Sequence, residues 1–120
     1  MLMINLNARQ SNQFITEIHK ARESIAAGLH GRMRVCVRRA ASVLTEAWME
    51  SNNLESPFSD VYRTFSFLLT KFEGHTEIQT ILTHLTTRVD ENYQIPEPVD
   101  FLNDVYRLAH LLEIELPEVE

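Results

Sequence analysis

Apolar residues recur at steps of three and four along nearly the whole chain, and no other feature constrains the fold as much. Phe14, Ile18, Ala21, Ile25 and Leu29 form one series, and Met33, Val37, Ala40, Leu44 and Trp48 a second. At 3.6 residues per turn, each series lines one face of a helix. Three more follow: Phe58, Val61, Phe65, Leu68 and Phe72; then Ile78, Leu82, Leu85 and Val89; then Leu102, Val105, Ala109 and Leu112.

Start and stop signals separate the series. Asn7 with Gln10 has the spacing of a capping box, and Gly28 and Gly31 offer a stop before a second helix over about 32–50. Ser51, Asn52 and Asn53 end that helix. Ser56 followed by Pro57 predicts a third start, since proline at the first helical position loses no hydrogen bond. Gly74 closes the third helix, and Thr76 with Gln79 repeats the capping spacing. Pro96 and Pro98 forbid helix through the loop before a fifth helix, expected to run from Pro98 to Glu113. The alternation Leu2, Ile4, Leu6 is strand-like but short.

These signals predict a single-domain, all-α bundle of about five amphipathic helices with short loops over residues 1–120, with 1–6 and 117–120 at fraying ends. Three glycines and four prolines are too few for a turn-rich β fold. A lone Cys36 makes no internal disulfide and fits a reducing compartment. The first residues carry neither the basic region nor the apolar run of a signal peptide, and no apolar segment approaches the roughly 20 residues that span a bilayer. The expectation is a soluble cytoplasmic protein with no membrane contact.

Known catalytic patterns are missing. There is no glycine-rich phosphate loop, no HExxH and no ExxH pair. Of the five histidines, His110 with Glu113 and His19 with Glu23 share helix faces, a spacing better explained by surface contacts than by ligand sets. Cys36 borders an apolar stripe and reads as a small buried hydrophobe. The expectation is no enzyme, no cofactor and no metal.

Charge is the remaining signal. The chain has net charge −6, yet residues 1–40 hold seven Lys/Arg against Glu17 and Glu23. Arg32, Arg34, Arg38 and Arg39 stand at the front of the second helix. On a wheel with Arg32 at zero, Arg34 and Arg38 fall at about 200° and 240°, Val35 at about 300° and Arg39 at about 340°. That is the half opposite Met33, Val37 and Ala40. Farther along, the face turns acidic with Glu46 and Glu50. Arginine near a helix N-terminus opposes the macrodipole by about 0.3–1 kcal/mol per charge, so a gain elsewhere is expected. Three sources offer it: acids of the later helices or the tail, an acidic or mixed surface on a partner protein, or nucleic-acid phosphate. Nucleic acid ranks last, because the rest of the chain is strongly acidic and no aromatics interleave the arginines.

A second surface is neutral. Thr76, Thr80, Thr83 and Thr87 lie opposite the apolar stripe of the fourth helix, where Glu or Lys would serve solubility better. Tyr62, Phe67 and Phe101 lie beside inward stripes and read as core. The function expected is therefore non-enzymatic binding of another protein by an inhibitor, adaptor, immunity or assembly-type factor. The contact set is Arg32, Arg34, Val35, Arg38, Arg39, Thr80, Thr83 and Thr87. A homodimer through the neutral ridge is a variant of this reading. A nucleic-acid-binding regulator that uses the second helix is the alternative.

Overall fold

The first helix, α1 (Ala8–Ala26), opens on the capping box that its sequence predicts. Asn7 Oδ1 accepts from the Gln10 N–H at 2.8 Å, and Gln10 Oε1 accepts from the Asn7 N–H at 3.0 Å. Gly28, at φ 72°, ends the helix in a left-handed turn. The Gly28 N–H bonds the Ile25 carbonyl at 3.1 Å and the Leu29 N–H bonds the Ser24 carbonyl at 2.8 Å, the two bonds of a Schellman motif. The computed structural model describes residues 3–55, 60–86 and 100–119, and these form an all-α bundle.

After the turn runs α2 (His30–Ser51), which Asn53 at φ 57° ends in the same way. Cross-helix contacts pair Arg9 with Glu46, Gln10 with Glu50, and Glu17 with Arg39. Residues near the start of α1 thus meet the end of α2, and Glu17, a half-length farther along α1, meets the first half of α2, so the two form an antiparallel hairpin.

Three shorter helices complete the bundle. Helix α3 (Val61–Lys71) is capped by Asp60, whose side chain accepts from the Tyr62 N–H; the Ser56–Pro57 start lies outside the described residues. Helix α4 (Thr76–Thr86) is preceded by His75, whose carbonyl accepts from the Gln79 N–H at 3.1 Å. The expected Thr76–Gln79 box does not form, because His75 takes the cap position, its Nδ1 accepting from the Ile78 N–H at 3.5 Å, while Gln79 Nε2 donates to the Leu69 carbonyl. Helix α5 (Phe101–Leu111) is capped by Asp100. It stops short of the expected Glu113, which takes φ 59° and turns the chain back.

That turn creates a feature whose sequence signal was slight. Strand β1 (Ile4–Asn5) pairs in parallel with β2 (Ile114–Glu115), with Ile4 opposite Ile114. The Ile4 N–H donates to the Glu113 carbonyl at 2.8 Å. Residues 3–6 are thus tied to the C-terminal segment, and Leu116 and Val119 pack against the core.

Helix α2 is the central element. It packs against α1, α4 and α5, and its buried residues occupy most of its circumference. Phe14, Ile18, Val37, Leu44, Phe65, Leu68, Leu82 and Leu108 are fully enclosed. Each contributes roughly 1.5–3 kcal/mol of apolar burial, an upper figure given residual structure in the unfolded chain. Trp48 is half-buried against Phe72, ring centroids 4.7 Å apart.

Candidate functional site

Because α2 is packed on several sides, only a narrow strip of it meets solvent. Between the tip residues His30 and Gly31 and the last residue Ser51, the exposed residues are Arg32, Val35, Arg39 and Glu50, with Ser42 and Glu46 half-buried between them. These recur at steps of three and four, so they form one straight outer face. Val35 is 41% exposed, unusual for an isolated aliphatic on a central helix.

The four arginines do not share that face. Arg34 is 4% exposed, which corrects its expected outward position. Its guanidinium carbon lies 5.6 Å from the centre of the Phe101 ring on α5, and its Nε and Nη2 have no hydrogen-bond partner among the described residues. A wheel drawn for a helix covered on one side assigns about 200° to solvent. Here α5 covers that arc. Arg38 is half-buried as well. Its Nε donates to the Leu85 carbonyl at 2.6 Å, in the last turn of α4, where unpaired carbonyls favour a cation. Its guanidinium lies 5.2 Å from the Tyr62 ring.

Arg32 and Arg39 do lie on the outer face. Arg39, its side chain 57% exposed, has Nη1 4.0 Å from Glu17 Oε1, a long contact at the edge of an ion pair. Glu17 itself is buried, and its Oε2 has no partner among the described residues. Cys36 beside it is 3% exposed, and burial raises its thiol above the ordinary value, with the Glu17 charge adding to the rise. A buried thiol held protonated is a poor nucleophile. Neither the N-cap Leu29 nor any acid in the first turn of α2 offsets the local cost of Arg32.

At one end of this face the hairpin projects beyond its neighbours. Every residue from 25 to 32 is exposed, and Ile25 and Leu29 reach 48% each. Both were expected to continue the inward stripe of α1. The stripe stops at Ala21 because no described residue buries Ile25 or Leu29 at the hairpin tip. Residues 24–45 contain no acid, so the tip and the adjoining face form a basic, partly apolar surface on an acidic protein.

The threonine ridge is distinct. Thr76, Thr80 and Thr83 are exposed on the side of α4 opposite Ile78, Ile81, Leu82 and Leu85. The Thr80 hydroxyl donates to the Thr76 carbonyl at 2.9 Å and that of Thr83 to the Gln79 carbonyl at 2.8 Å. These back-bonds turn the hydroxyl protons inward. Thr87 lies outside the described residues. The meeting of α2 and α4 runs through Arg38 and Leu85, away from the threonines, so the two candidate surfaces are separate.

Other polar clusters are structural. His84 Nδ1 lies 2.9 Å from Asp104 Oδ2, and Arg107 bridges to Glu77, both between α4 and α5. Phe101 is core; Tyr62 and Phe67 are half-buried and line an open cavity of about 470 Å³ on α3. Among the described residues, no group of three or more His, Cys, Asp or Glu could hold a metal, and no helix is long and apolar enough to cross a membrane.

Compared with protein-family models, curated proteins and solved structures, the chain matches none.

Proposed function

We propose that this protein acts without catalysis, by docking on another protein through the outer face of α2 and the adjoining hairpin tip. The observation that carries the reading is the exposure of Ile25, Leu29 and Val35, at 41–48% each, around arginines 32 and 39. Aliphatic contact flanked by charge is the composition of a protein interface, where apolar area supplies affinity and the rim supplies specificity. Arg32 is locally unfavourable in the first turn of α2, and a partner surface rich in carboxylate is a gain that offsets this. An inhibitor, an adaptor or an assembly factor uses a surface of this kind. The single buried cysteine favours a reducing compartment such as the cytoplasm.

Nucleic acid is the weaker reading. With Arg34 and Arg38 turned inward, two exposed arginines remain on the face, and two phosphate contacts give a log–log salt slope of only about −2.

The test is photo-cross-linking in cells from a benzoylphenylalanine at Val35, compared with the same residue at exposed Asn103 on α5. The expected result is a discrete protein adduct from position 35 and none from 103. Equal labelling from both positions, or none from either, removes the reading. A gel shift that disappears between low and moderate salt without a protein adduct moves the function to nucleic acid.

A further inference from the structure

The outer face of α2 changes sign along its length. Arg32 and Arg39 occupy its first half, and Glu46 and Glu50 its second. Arg32 and Glu50 are 18 residues apart, five whole turns, so they lie on one line about 27 Å apart. Arg39 and Glu46 are two turns apart on the same strip. The midpoints of the two pairs fall at residues 41 and 42.5, only about 2 Å from each other along the helix. A single two-fold axis crossing the face beside Ser42 therefore sets both arginines opposite both glutamates of an antiparallel second helix.

We infer that the partner seated on this face is a second copy of the same chain, related by that two-fold axis. The inference rests on the docking reading above and names its occupant. Isologous pairing needs a surface complementary to itself, and a strip running from basic to acidic about a small central residue meets that need. Ser42 at the axis allows close approach of the two helices. A parallel arrangement would oppose like charges at every position.

The ends of the face carry the same complementarity in shape. The tip, with exposed Leu29 beside Arg32, lies at one end of α2. At the other end, Met3, Ile4, Ala47 and Glu50 border an open cavity of about 500 Å³. Antiparallel pairing carries the tip of each copy to the cavity end of its partner. Three of the four large aliphatics exposed among the described residues, Leu29, Val35 and Met3, then fall along one contact, and the fourth, Ile25, lies at its tip. Glu46 is bridged by Arg9, and Arg39 lies 4.0 Å from Glu17. Among the described residues neither Arg32 nor the exposed Glu50 carboxylate, which accepts from Gln10 Nε2 at 3.2 Å, makes an ion pair, so the outer Arg32–Glu50 pairs carry the charge complementarity.

The experiment is sedimentation equilibrium of the full chain over roughly 1–300 µM, the range in which a polar interface associates. Wild type, Arg32→Glu, Glu50→Arg and the double reversal are compared. The expected result is a wild-type dimer, at least about tenfold weaker dimers in both single variants, where like charges meet, and recovery in the double reversal. Circular dichroism checks that each variant is folded. Ser42→Cys gives an independent readout, since residues at a two-fold axis oxidise to a covalent dimer. A wild-type monomer throughout the range overturns the second copy as occupant, while a cross-link from Val35 to a different protein keeps the docking face. A dimer indifferent to both reversals, with Ser42→Cys remaining monomeric, places the interface elsewhere and overturns the proposal.

Discussion

Replacing Arg34 with methionine should stabilise the protein. Arg34 is 4% exposed, and its Nε and Nη2, the edge that takes a carboxylate side-on, have no hydrogen-bond partner among the described residues. Enclosing such a cation costs several kcal/mol after relaxation. The contact with the Phe101 ring at 5.6 Å returns about 0.5–2 kcal/mol of that. Methionine keeps the length and apolar contact of the arginine stem and carries no charge to desolvate. The difference predicts a gain of about 1–3 kcal/mol, which in a chain of this size raises Tm by roughly 3–10 °C. Arg34→Ala should show no such gain, because it also removes the stem and leaves a cavity. Thermal melting followed by circular dichroism, with urea unfolding for the free energy, measures both. A loss of more than about 1 kcal/mol in Arg34→Met refutes the reasoning, for it means that the guanidinium holds an anion whose removal leaves a buried charge unpaired.

Three further predictions concern strain and pH. Glu113 adopts φ 59° where only glycine is unstrained, so Glu113→Gly should raise stability by about 1 kcal/mol, measured by urea unfolding; a loss would show that the Glu113 side chain holds the β1–β2 junction. Burial raises the Asp104 carboxyl above its ordinary 3.8, against the opposing hydrogen bond and charge of His84. A raised carboxyl binds its proton more tightly in the folded chain, so its contribution is complete below the ordinary value and is lost as pH rises through the folded one. Wild type should therefore lose stability relative to Asp104→Asn as pH rises from about 4, and a constant difference contradicts the assignment. Glu77 has the opposite sign: the Arg107 hydrogen bond lowers it below 4.5, so its contribution is present above that value and is lost as pH falls through the lowered one. Glu77→Gln, titrated in parallel, should show that slope reversed.

Local signals in the chain carried the helices, and non-local packing decided what they expose. Asn7 and Gln10 announce α1 because a capping box is made within four residues, and Gly28 stops it because a left-handed turn needs no Cβ. Phe14, Val37, Phe65, Leu82 and Val105 are buried as their spacing requires. Arg34 was misplaced for a physical reason. Periodicity marks the strongest apolar stripe, but it does not say how many neighbours a helix has, and α2 has enough of them to cover nearly its whole circumference. Ile25 and Leu29 erred in the other direction, since a stripe is buried only as far as its neighbours extend. The pairing of Ile4 with Ile114 joins positions 110 residues apart, beyond any local pattern. Of the candidate contacts, Arg32, Val35, Arg39, Thr80 and Thr83 are outward as expected, while Arg34 and Arg38 serve the packing of α2 on α4 and α5.

The account depends most on arginines 32 and 39 serving contact and not the fold. The double variant Arg32→Glu/Arg39→Gln tests this, because glutamate suits the first turn of α2 and glutamine avoids a like charge beside Glu17. Its unfolding free energy and its cross-linking from position 35 should be measured together. Stability within about 1 kcal/mol of wild type, with the adduct lost, is the result expected. An unfolded variant, or an adduct formed at the wild-type yield, contradicts it.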